Sequence, residues 1–83
     1  MDRLINEFDE IMRWPKKLTD KESIINWLST KFKLDKKYSE KEVNGIIDSH
    51  SLFNDTPLLR RELISRKYLI RKDDGSIYWK EKK

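Results

Sequence analysis

Apolar positions along the 83-residue chain fall into five blocks, each with its own period. In "DRLINEFDEIM", Leu4, Ile5, Phe8, Ile11 and Met12 recur at helical spacing on one face. Pro15 stops any helix and pushes Trp14 toward extended geometry. The pattern therefore predicts an N-terminal helix over about residues 2–10, with Ile11–Trp14 peeling off as a short strand, all within residues 1–14. "LTDKESIINWLSTKF" is the clearest helix, with Ile24, Ile25, Leu28 and Phe32 as its inner stripe and Trp27 at the edge. Thr19 or Asp20 is its expected cap. "LDKKY" then turns the chain. The next helix opens with a capping box, in which Ser39 and Glu42 each satisfy the other's free backbone N–H. Val43, Ile46 and Ile47 make its inner face, although Gly45 weakens it by ~1 kcal/mol.

The last two blocks change character. Asp55 is a good N-cap, and Pro57 suits a first turn, where its missing N–H is no loss. Leu59 and Leu63 then face inward. At ~100° per residue, Pro57, Leu58, Arg61 and Ser65 point away from that stripe, and Arg60 sits at the flank. "YLIRKDDGSIYW" alternates instead: Asp74–Gly75 reads as a two-residue turn between strands at Leu69–Lys72 and Ser76–Trp79. In that register Ile77 and Trp79 face inward and Trp79 closes the core, a packing role favoured over the competing one in which Tyr78 and Trp79 stack on bases. Helices followed by a hairpin predict an α+β chain forming a winged helix-turn-helix. It has three to four helices and a C-terminal two- or three-stranded β-wing, Ile11–Trp14 supplying the third strand. Residues 1–83 make one domain, with the helix-turn-helix at 39–67 and the wing hairpin at 68–80. The competing architecture is an α+β fold with the same elements but without the groove-binding geometry.

Composition narrows the chemistry. Apolar residues are 36% of the chain and charged residues 41%, so the nine aromatics must supply much of the buried area. The chain has no cysteine, which excludes disulfides, thiolate nucleophiles and cysteine metal ligands. No apolar run approaches the ~20 residues of a membrane span, and no signal-peptide layout opens the chain, so a soluble cytoplasmic protein without membrane contact is expected. His50 is the sole histidine and is expected to cap or pack the end of the helix before it. No nucleophile, base and orienting group assemble, so no enzyme and no catalytic residue is predicted. Metal-ligand spacing and phosphate-loop or dinucleotide motifs are absent, and no cofactor or small-molecule ligand is expected.

Charge supplies the positive signal. Residues 1–54 balance ten Lys/Arg against ten Asp/Glu, whereas residues 55–83 hold nine against five, so the whole excess of +4 lies in the last third. That asymmetry points to an anionic partner, with a merely solvated basic tail as the plain competing reading. Arg61 and Ser65 lie where a recognition helix presents side chains, and arginine suits bidentate contact with guanine. Thr56 and Asn54 flank the helix N-terminus, where phosphates meet free N–H groups. Arg71, Lys72 and Lys80, with Lys82 and Lys83, would meet the duplex backbone. Arg60 is a candidate contact whose competing role is an ion pair to Glu42 or Glu62 that locks adjacent helices. Asp73 and Asp74 at the wing tip oppose phosphate, so the helix must carry more of the contact. Duplex DNA is thus the expected partner. The alternative is a non-enzymatic protein-interaction module, in which the stripe of Leu4, Ile5, Phe8, Ile11 and Met12 serves a homodimer or partner protein rather than the core.

"YSEKEVNGIID" (38–48), "DTPLLRREL" (55–63) and "YLIRKDDGSIYW" (68–79), in that order and spacing, resemble domain-of-unknown-function family 2087 over roughly residues 8–80. The resemblance implies a small winged-helix domain of the kind found alone or attached to helix-turn-helix regulators of transcription. It brings no ligand and no catalytic residue. Two departures stand out: Lys67 replaces the glycine that usually ends the third helix, and "DEIMRW" lacks the glycine usual near the first strand.

Overall fold

Hydrophobic stripes at a period near 3.6 produce three helices, and all three surround one core. In the computed structural model, which describes residues 4–53 and 55–80, these are α1 (Leu18–Ser29), α2 (Glu40–Ser49) and α3 (Thr56–Ser65). Three two-residue strands accompany them: β1 (Lys37–Tyr38) between α1 and α2, then β2 (Ile70–Arg71) and β3 (Tyr78–Trp79) after α3. The fold is α+β, with a small antiparallel sheet in the order β1-β3-β2. Ile24, Ile25 and Leu28 of α1 meet Val43 and Ile47 of α2 and Leu59 and Leu63 of α3, all essentially inaccessible. Each such side chain contributes about 1.5–3 kcal/mol by burial. Ile11, Phe32, Tyr38, Leu69 and Tyr78 complete the core. Trp27 lies at its edge, as the periodicity predicts.

Local chemistry sets the helix ends. Ser39 Oγ accepts from the Glu42 N–H at 3.1 Å while Glu42 Oε1 accepts from the Ser39 N–H at 2.9 Å, forming the expected capping box. The Ser39 backbone N–H, together with the Ser39 hydroxyl, holds the Glu42 carboxyl below its usual range. Asp55 caps α3, accepting from the Leu58 N–H at 3.3 Å. α1 begins at Lys17 with no side-chain cap, so neither Thr19 nor Asp20 fills the expected role. It ends before Phe32 because Ser29 and Thr30 turn their hydroxyls onto the Asn26 and Trp27 carbonyls, both at 2.6 Å.

The N-terminal helix is not formed among the described residues. Asn6 prevents it: its Oδ1 accepts from the Phe8 N–H at 2.9 Å and the Glu10 N–H at 3.0 Å, competing with helical pairing. Asp9 then takes φ 60°, in the segment that lacks the expected glycine, and the chain doubles back so that Ile5 bridges Ile11. Ile11 is fully buried, whereas Phe8 is 73% exposed, so the apolar positions do not form one stripe. The start of that predicted helix, Asn54, and the candidate contacts Lys82 and Lys83 lie outside the described residues.

Ile11–Trp14 is likewise not the third strand of the sheet. Ile11 pairs with Ser51 instead, and the third strand is Lys37–Tyr38, from the segment read as a turn. Asp35 makes that turn earlier, at φ 61°. The hairpin connection is also longer than two residues. The Gly75 N–H closes onto the Lys72 carbonyl at 2.8 Å, and Gly75 takes φ 75°.

The register of β3 inverts the expected facing. Tyr38 and Tyr78 pair on the inner side, both buried, whereas Lys37, Trp79 and Ile70 form the outer row. Tyr78 is therefore the aromatic that closes the core, and Trp79 and Ile77 are only half-buried.

Glycine is present where a helix disfavours it and missing where one is wanted. Gly45 lies on the exposed side of α2, with nothing within 4 Å of an added Cβ. Lys67 sits in the left-handed region at φ 66°, its N–H on the Ile64 carbonyl and the Tyr68 N–H on the Leu63 carbonyl, a Schellman arrangement. Gly45→Ala and Lys67→Gly are each expected to stabilise by about 1 kcal/mol, raising the melting temperature by roughly 4–8 °C apiece. Thermal denaturation of the two single variants checks both signs.

Candidate nucleic-acid interface

α3 is held from behind and below, which fixes the face it presents outward. Leu59 and Leu63 sink into the core. The guanidinium of Arg60 donates to Asn44 Oδ1 at 2.5 Å and lies 3.8 Å from Glu40 Oε1, tying α3 to α2. Arg60 thus has the helix-locking role, with Glu40 rather than Glu42 or Glu62 as its acid. Thr56 donates its hydroxyl proton to Asp48 on α2, which spends the donor a phosphate would need and sets a carboxylate beside it. At the other end, Arg66 bridges Glu62 at 2.8 Å and Glu22 of α1 at 2.7 Å, while the Tyr68 hydroxyl also donates to Glu22. Hydrogen bonds to Glu62 and then Glu22 raise the Arg66 pKa above its usual value. The hydrogen bond to Glu22 does the same for Tyr68. This α1–α3 clamp was readable only in its local half, the i,i+4 pair Glu62–Arg66.

Arg61 and Ser65 remain on the solvent side of α3. Both are exposed, and their i,i+4 spacing puts them on one face. Arg71 and Lys72 are also exposed, on the hairpin, where an Arg71 guanidinium nitrogen lies 3.6 Å from the position a Cβ would take on Gly75. Lys80 is not part of this surface. Its ammonium donates to the Ser29 carbonyl at 2.9 Å, neutralising the carboxyl end of α1. Asp74 accepts from the Ser76 hydroxyl at 2.7 Å and the Ser76 N–H at 2.9 Å, and those bonds hold its carboxyl below the usual range. The wing tip is therefore anionic and locally satisfied.

The predicted contacts thus separate into two groups. Arg60, Thr56 and Lys80 are engaged within the fold, and Arg61, Ser65, Arg71 and Lys72 face solvent. His50 caps α2, its Nδ1 2.8 Å from the Asp9 carbonyl and its ring edge-on to Trp27. Among the described residues, no group of three or more His, Cys, Asp or Glu could hold a metal ion, and no helix is long and apolar enough to cross a membrane.

No curated protein and no solved structure matches the chain significantly. One family model does match, described as an uncharacterized protein conserved in bacteria, and it spans residues 10–80. The three sequence blocks, the helix α3 that carries Arg60 and Arg61, and the hairpin all fall inside that span: the chain belongs to domain-of-unknown-function family 2087.

Proposed function

We propose that the chain is a winged-helix DNA-binding domain of a transcriptional regulator, contacting duplex DNA through α3 and the exposed cations beyond it. The carrying observation is the face of α3 that holds Arg61 and Ser65, exposed while the opposite face is anchored by Leu59, Leu63 and Arg60. The element order, with β1 between α1 and α2 and β3 central in the sheet, supports a winged helix: α2–α3 is then the helix-turn-helix and β2–β3 the wing. A helix so held keeps its outward side chains in register with a major groove, where arginine reads guanine. Phosphate contact falls to Arg71 and Lys72, since Thr56 is paired with Asp48 and Lys80 with α1. Asp73 and Asp74 direct the hairpin tip away from the backbone.

A second reading, a protein-interaction module, draws on exposed Phe8, Met12 and Leu52. Leu52 adjoins the N-terminal loop through its N–H bond to the Ile11 carbonyl at 2.9 Å. Fluorescence anisotropy with a random-sequence duplex at low and physiological salt separates the two. Phosphate contact by Arg71 and Lys72 gives a log–log salt slope of about −2, at ~0.9 per phosphate. Absence of binding even at low salt would sink the DNA reading and leave the interaction module.

A further inference from the structure

The register of the sheet leaves a second surface, of which the duplex reading uses only Lys72. Pairing of Lys37 and Ile70 with Trp79 puts these three side chains in one row across β1, β3 and β2, on the side opposite Tyr38 and Tyr78. One pair further along, the Lys72 N–H bonds to the Ile77 carbonyl at 2.8 Å, so Lys72 and Ile77 share that outer face. The result is an apolar strip of Ile70, Ile77 and Trp79, each half-buried, bordered by exposed lysines: Lys37 on one edge strand and Lys72 at the end of the other. The indole does not close the core, because Tyr78 does that.

We propose that this outer face is a stacking platform for single-stranded nucleic acid. Trp79 carries a base, Ile70 and Ile77 flank it, and Lys37 and Lys72 meet the phosphates. The charge pattern selects this occupant. Cations at both edges of an aromatic strip suit a chain with flat apolar faces joined by anionic links, and stacking tolerates any base. A polyanion without bases satisfies the lysines but gains nothing from Trp79. Asp73 and Asp74 at the hairpin tip repel phosphate along the hairpin axis. The bound strand therefore crosses the sheet, from the β1 edge to the β2 edge.

The test is anisotropy of a short labelled oligothymidylate with the whole chain and three variants, each checked for native melting. Trp79→Leu, which keeps apolar volume but removes the aromatic face, is expected to weaken binding about tenfold. The double variant Lys37→Ala/Lys72→Ala should flatten the log–log salt slope by about 1.4, at ~0.7 per phosphate. Arg61→Ala should leave this ligand unaffected, which separates the platform from the duplex reading. No binding of oligothymidylate at low salt overturns the proposal, as does binding insensitive to both sheet variants. Loss with Arg61→Ala equal to that with Trp79→Leu also overturns it, since one surface then serves both ligands. Equal affinity for polyglutamate, indifferent to Trp79→Leu, overturns it in favour of an acidic peptide.

Discussion

Replacing Tyr78 by alanine is expected to remove about 3–5 kcal/mol of stability, whereas the same change at its neighbour Trp79 removes no more than about 2 kcal/mol. The contrast follows from the register alone. Tyr78 is 1% exposed, at the centre of the sheet against the helices, and its hydroxyl reaches Glu40 at 3.3 Å. Truncation there leaves a cavity walled on one side by the paired ring of Tyr38, itself packed edge-on against Phe32 at 5.3 Å between centroids. Trp79 lies on the opposite side of the sheet, where it is only half-buried. A domain of this length has roughly 4–12 kcal/mol to lose, at about 0.05–0.15 kcal/mol per residue. Tyr78→Ala should therefore be only marginally folded at 25 °C. Urea denaturation of both variants decides, and a larger loss at Trp79 would place the wrong ring inside. Tyr78→Phe isolates the hydroxyl, with an expected loss of about 0.5–1.5 kcal/mol.

That inversion marks the boundary of what could be read from the chain. α2 and α3 were legible because their signals are local and redundant: a capping box at Ser39–Glu42, an Asp55 cap followed by Pro57, and apolar pairs four apart. The core followed from the same periodicity. Strand facing was not legible, because "IYW" offers aromatics at adjacent positions, and only pairing to β1 decides which ring turns inward. β1 itself is two residues long and gains its identity from β3, more than thirty positions away, so "LDKKY" carried no alternation to recognise. Asn6 misled in the opposite sense. Leu4, Ile5, Phe8 and Ile11 have helical spacing, but one carboxamide captures two backbone N–H groups and folds the segment back on itself. The candidate interface shows the same division. Exposure of Arg61 and Ser65 follows from helical phase, whereas the engagement of Lys80 with the Ser29 carbonyl joins residues 51 apart.

The adjacent arginines provide the second large expected effect, since identical side chains should fail in different assays. Arg60 is a fastening between helices: its side chain is 23% exposed, bonded to Asn44 and near Glu40. Arg60→Ala leaves the Asn44 carbonyl oxygen and the Glu40 carboxylate without their cation, for an expected loss of about 1–2 kcal/mol after allowance for solvent. Its effect on DNA should appear only as far as α3 loosens. Arg61 has no such engagement among the described residues, so Arg61→Ala should change stability by less than about 0.5 kcal/mol. On a duplex selected from a randomised pool, however, loss of a bidentate guanine contact worth about 1–3 kcal/mol lowers affinity roughly five- to 150-fold. Arg61→Lys keeps the charge but not the fork, and should restore binding to random duplex more fully than to the selected site. Melting curves and anisotropy on Arg60→Ala, Arg61→Ala and Arg61→Lys resolve the matter. If Arg60→Ala abolishes binding while native melting is preserved, or Arg61→Ala lowers the melting point and spares affinity, the two roles are reversed and α3 presents a different face to its ligand.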